Sequence, residues 1–193
     1  MSFAALPRAA AWHHRQARDG FEVVFFETDT SHIRLHGHTA AVEDGTAWTV
    51  RYDITLDRDW HTQRARVWAT STAGEREVSL EVDGMGGWVA DGSGRSDLDG
   101  YLDVDLESSA CTNTIPVHRM DLAVGEAAEA PAVYVRAPDL TVEPLEQLYA
   151  RVDAEGPLQR YDYSAPVFDF ESRLVYDQSA LVLEYPGIAS RAH

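Results

Sequence analysis

Tyr101, Asp103, Asp105 and Glu107 alternate with Leu102, Val104 and Leu106. A strand over 101–107 would therefore carry its acids on one face and its aliphatic side chains on the other. Residues i and i+2 of a strand lie about 6.7 Å apart, so two such charges repel by about 0.6 kcal/mol in water and by about 2.5 kcal/mol at an effective dielectric near 20. The first value leaves Asp103 and Asp105 both ionised on a solvated edge strand. The second lifts one of them towards general-acid chemistry, as an acid/base pair acting on a sugar. Burial decides between the two.

Other groupings are weaker. Asp97-Leu98-Asp99-Gly100 has the look of a calcium loop, but an EF-hand register puts Arg95 at the first ligand position and Leu106 at the twelfth. An irregular calcium site would need Asp91, Asp97 and Asp99. His32, His36 and His38 share a strand face, and with no carboxylate or cysteine fixed nearby they read as solvent-facing polar residues, not metal ligands. Cys111 is the sole cysteine, which excludes an intramolecular disulfide and suits a small buried apolar group. No nucleophile elbow, P-loop or dinucleotide fingerprint occurs, so neither a metal nor a cofactor is expected.

Trp48, Tyr52, Trp68, Trp88, Tyr101, Tyr163, Phe168, Phe170 and Tyr185 either fill a core or line a cavity. Aromatic faces stack on sugar rings and aliphatic walls take acyl chains; burying ten methylenes contributes about 8 kcal/mol before ordering costs.

Period-two alternation dominates the elements that would position these groups. After an irregular segment over about 1–11, strands are expected at 21–28, 32–38, 48–57, 62–70, 75–82, 87–90 and 101–107. Asp44-Gly45 marks a hairpin turn, and the 21–28 strand, FEVVFFET, is apolar on both faces. Further strands are expected at 117–124, 132–136, 140–142, 159–164, 168–177 and 180–185, with a short helix over 143–152 and an exposed loop over 125–130. About a dozen strands with almost no helix define an all-β fold, one domain over 1–193, whose strongly curved antiparallel sheet encloses a concave face.

The composition narrows the partners. The chain has 32 Asp+Glu against 16 Lys+Arg, for a net charge of −16, and every one of those cations is arginine. Such a balance opposes nucleic acid and anionic lipid surfaces. It also fits a GC-rich genome or a high-salt cytoplasm. The first twenty residues lack an apolar signal region and no stretch is long enough to span a membrane, so a cytoplasmic protein without integral membrane association is expected. A monomer or a homodimer is compatible with these features.

In order along the chain, Trp88, Asp91-Gly92, Leu98-Asp99-Gly100, Asp103-Val104-Asp105-Leu106, Thr112-Asn113-Thr114-Ile115-Pro116 and Arg119 form a pattern that resembles the Putative glycolipid-binding family, once a domain of unknown function. Tyr161-Asp162-Tyr163 and Tyr185-Pro186-Gly187-Ile188, with Arg191, are similar to that family's closing strands. The resemblance implies a spiral β-roll related to lipoprotein-carrier folds, in which a curved sheet binds a glycolipid or another amphiphile without converting it. On that reading the tail lies against the concave sheet and Asp103, Asp105, Asn113 and Arg119 meet the head. Trp48, Trp88, Tyr101 and Tyr185 complete the expected ligand-binding set.

Overall fold

The computed structural model of the chain describes residues 3–192, and of these the side chains of all but 153–155. Its first half is an antiparallel meander: β1 (Ala9–His14), β2 (Asp19–Thr28), β3 (Ile33–Glu43), β4 (Thr46–Leu56), β5 (Thr62–Ser71), β6 (Gly74–Val82), β7 (Trp88–Ala90) and β8 (Ser93–Gly94). The middle carries β9 (Asp103–Leu106), a helix α1 (Thr114–Met120), β10 (Ala127–Glu129), β11 (Ala132–Val135) and β12 (Val142–Leu145). A second meander follows: β13 (Leu148–Glu155), β14 (Leu158–Ala165), β15 (Phe170–Tyr176), β16 (Val182–Tyr185) and β17 (Ala189–Arg191).

The two meanders join into one 14-stranded sheet in the order β10-β13-β14-β15-β16-β17-β1-β2-β3-β4-β5-β6-β7-β8. The seam is β1, which pairs with β2 on one side and β17 on the other, so that Trp12 faces both Glu22 and Arg191. The Trp12 indole also donates to the Val182 carbonyl at 2.8 Å. A twisted sheet of this width must curl, and this one curls without closing. β9, β11 and β12 leave it to form a separate three-stranded sheet in which β9 and β11 run parallel.

That middle segment fills the curve. Leu98, Val104, Leu106, Ile115 and Val135 pack with Leu35, Val50, Ile54, Val67 and Leu80 of the first meander. Val117, Leu122, Tyr134 and Leu145 pack with Tyr149, Tyr161, Leu174 and Tyr176 of the second. The concave face therefore carries a packed core rather than an open trough for a lipid tail.

Local sequence explains much of this. β4 alternates as expected, with Trp48, Val50, Tyr52, Ile54 and Leu56 inward. Asp44 and Gly45 both take positive φ, 48° and 74°, as a two-residue hairpin turn requires. Gly37 lies opposite Tyr52, and a Cβ there would sit 2.4 Å from the Tyr52 ring. The glycine between His36 and His38 thus seats a buried tyrosine, while His36 stacks outside on Phe25.

Several expectations are corrected. β1 occupies part of the segment read as irregular. β2 is not buried on both faces, since Phe21 and Phe25 are exposed while Glu22, Val24 and Phe26 point inward. The strand expected over 117–124 is not formed, and residues 114–120 make a helix instead; Pro116 fits because it stands in the first turn, where its missing N–H is no loss. The helix expected over 143–152 is instead the end of β12 and most of β13, with the chain crossing between sheets at Glu146-Gln147. β10 and β17 add strands that were not expected. Among the described residues no helix is long and apolar enough to cross a membrane.

Candidate functional site

The middle segment does not fill the curve completely. A cavity of about 300 Å³ remains where it meets one end of the sheet. Each residue of the large sheet in the lining lies near the same end of that sheet: Glu43 at the close of β3, Tyr163 and Ala165 at the close of β14, Phe170 at the start of β15 and Tyr185 at the close of β16. Arg18 comes from the β1–β2 turn and Phe168 from the turn before β15. The middle segment supplies Asp105, Glu107, Ser109, Asn113, Tyr134 and Arg136. Five aromatic rings thus stand with carboxylates, guanidinium groups and an amide around one space, the mixed lining of a small-molecule pocket.

Asp105 is the most perturbed acid in this lining. It sits on β9, and its carboxylate accepts from the Thr112 hydroxyl at 2.7 Å and the Gln147 amide at 2.6 Å. Burial pushes its pKa up to about 6, the two hydrogen bonds oppose the rise, and the neighbouring Asp103 and Glu107 add to it. Because the folded state holds this proton more tightly than the unfolded chain, the stabilisation is complete below pH 4 and lost as pH rises through 6. Asp105→Asn should flatten that slope and leave the variant more stable than the parent at pH 7.5, by on the order of 3 kcal/mol at most. The Gln147 amide need only turn over to accept from the new Asn nitrogen. Guanidinium midpoints measured from pH 4.5 to 7.5 check this, and an unchanged slope would contradict it.

Asp103, two residues earlier, has a different fate. Both carboxylate oxygens are taken by Arg119, at 2.8 and 2.7 Å, and the acid is 1% exposed. Burial pushes its pKa up and Arg119 pulls against that rise. Neither Asp103 nor Arg119 lines the cavity. The two aspartates are both buried, against the solvated-face expectation, yet they do not open onto one shared space.

Of the expected ligand set, Asp105, Asn113 and Tyr185 come together in the lining. Asn113 also accepts from the Tyr149 hydroxyl at 2.8 Å. Trp48 stands just behind, with the Arg18 guanidinium 5.3 Å from its ring centre. Trp88 is in the core, its indole donating to the Tyr101 carbonyl at 2.8 Å. Tyr101 donates to Glu146 at 2.5 Å, a bond to a carboxylate that, with burial, pushes its own pKa up to about 12. Asp97 is bound by Arg95 and Asp91 by the Ser79 backbone.

The residues not anticipated are Arg18, Glu43, Ser109, Tyr134 and Arg136, together with Glu22 behind the wall. Glu22 is wholly buried. It accepts from the Tyr52 hydroxyl at 2.6 Å, the Ala110 N–H at 2.9 Å and the Ser109 hydroxyl. Ser109 in turn accepts from the N–H groups of Cys111 and Thr112. This network fixes the corner that leads into α1. A carboxylate in phase with Val24 and Phe26 was the available signal for Glu22.

The arrangement defines an open, curled antiparallel sheet wrapped around its own middle segment, with a mixed aromatic and polar cavity at one end. A family model described as Putative glycolipid-binding matches residues 9–191, and the chain belongs to that family. It is also similar to the crystal structure of a DUF1089 family protein from Pseudomonas aeruginosa, with 30% identity and a TM-score of 0.76, over 100% of this chain and 98% of that one. No curated protein matches the chain.

Proposed function

We propose that the protein binds a glycolipid or a similar amphiphile in this cavity without converting it. The observation that carries the reading is the lining itself, five aromatic rings set among hydrogen-bonding carboxylates and an amide. Sugar rings present apolar C–H faces and polar edges together, and a wall of aromatics with interspersed acceptors matches both. Family membership supports the same ligand class. The head sits inside, touching Asp105, Asn113 and Tyr185. The tail leaves past the turn at Val167 and Phe168, which are 69% and 40% exposed, because the concave face is filled.

The test is native mass spectrometry of protein purified from its source, with extraction of bound lipid, followed by titration with short alkyl glycosides. A co-purifying lipid and saturable uptake are the expected results. Phe168→Ala should weaken uptake by about tenfold, the effect of losing roughly one ring's contact. Lipid-free protein that takes up no alkyl glycoside would count against the reading.

A further inference from the structure

We propose that the cavity admits uncharged or amine-bearing sugar heads and turns away acidic ones, an inference that rests on the glycolipid reading above. Three carboxyl-bearing residues line it, Glu43, Asp105 and Glu107, against two arginines, Arg18 and Arg136.

Neither arginine is at liberty to serve as counter-ion for a ligand. Arg18 donates to the Glu107 backbone carbonyl at 2.7 Å and lies 3.5 Å from the Glu43 carboxylate and 4.0 Å from that of Glu107. It is 6% exposed, and its buried Nε–H has no partner among the described residues. Its positive charge is already matched by the Glu43 and Glu107 carboxylates. Arg136 is bound to Glu143 at 3.0 Å and lies 5.8 and 5.7 Å from the Tyr134 and Phe168 ring centres. Counting Glu143, the acids around the space outnumber the bases.

An acidic head placed there would meet carboxylates with no spare cation. Like charges about 6 Å apart at an effective dielectric near 20 repel enough to weaken binding by at least about tenfold. The chain's net charge of −16 acts in the same direction. An amine head meets the opposite field, together with aromatic faces that attract cations. Tyr134 and Phe168 already hold one such cation in Arg136.

The experiment compares three ligands with one tail, hexyl glucoside, hexyl glucosaminide and hexyl glucuronide, by calorimetric titration at pH 7.5. The first two should bind within a few-fold of each other and the glucuronide at least about tenfold more weakly. Glu43→Gln should narrow that gap. Glucuronide binding as tight as glucoside would overturn the selectivity and leave the glycolipid reading standing. A gap unchanged in Glu43→Gln would place the discrimination outside this cavity and also overturn it. If none of the three binds, the glycolipid reading falls, and the selectivity with it.

Discussion

Glu22→Ala is expected to destabilise the protein by about 4 kcal/mol, and Glu22→Gln by roughly half as much. The wild-type carboxylate receives donors from three directions: Tyr52 on β4, and Ser109 and the Ala110 N–H at the corner before α1. Alanine leaves all three donors inside the protein without an acceptor, and each such loss costs about 1–3 kcal/mol. The losses do not add fully, because the Tyr52 and Ser109 hydroxyls lie 3.3 Å apart and one can donate to the other. Glutamine keeps one acceptor oxygen but points an amide at neighbours that are themselves donors. Chemical denaturation of both variants against the parent measures the effect. Equal stability of Glu22→Ala and the parent would show that the corner does not depend on this acid. The corner also carries Ser109 and Asn113 into the cavity lining, so the variant should lose ligand uptake along with stability.

The second large effect concerns Arg119. Removing it by Arg119→Ala leaves Asp103 buried without its two charge-assisted hydrogen bonds, at an expected cost of about 3–5 kcal/mol. The loss should grow with pH. Without Arg119 the Asp103 carboxyl binds its proton still more tightly in the folded state, so the penalty is small where that proton is present and rises as the acid ionises. Replacing both partners, Asp103→Leu with Arg119→Met, should cost much less than Arg119→Ala alone, since the desolvation of two charges disappears with the attraction between them. A double-mutant cycle at pH 5 and pH 8 reads both effects. A pH-independent loss in Arg119→Ala would contradict the account.

These predictions concern residues that differ in how visible they were in the sequence. The Asp103–Leu106 alternation announced a strand, and the long alternations in β3 to β6 announced most of the sheet, because one buried face imposes a period of two. Phase was lost where both faces are apolar. FEVVFFET has apolar residues on both faces, so the phase that Glu22 shares with Val24 and Phe26 did not by itself say which face turns inward. β1 was hidden by its alanines, which have little strand preference of their own; it is a strand because β2 and β17 both pair with it. The segment 117–124 reads as a strand, and it begins inside α1 because Ile115 and Val117 pack into the two halves of the core and hold this turn helical. Leu145, Leu148 and Tyr149 fit a helical spacing by coincidence, with Leu148 exposed and the other two buried in the same cluster.

The cavity was only partly legible for a related reason. Asp105, Asn113 and Tyr185 belong to segments with a recognisable pattern, whereas Arg18, Glu43 and Arg136 sit at the ends of strands. What such residues face depends on how far the sheet curls, and no local spacing encodes that. The aromatic set was visible as a set, but its division was not: Tyr163, Phe168, Phe170 and Tyr185 reach the cavity while Tyr52 and Trp88 go to the core.

The seam at β1 bears on how the chain reaches this state. Strands within each meander find their partners locally, but β1 and β17 lie at opposite ends of the sequence. During vectorial synthesis the first meander must wait with an unpaired edge until residues 189–191 have been made. Such a long loop closure slows folding and leaves a bare edge open to the wrong partner. β1 blunts that hazard by being only six residues long and rich in alanine, and thus a poor template for a foreign strand. The same late step also completes the cavity, since Tyr185 and Ile188 arrive with the final strands. Completion of the cavity and completion of the sheet are therefore one event in the life of the chain.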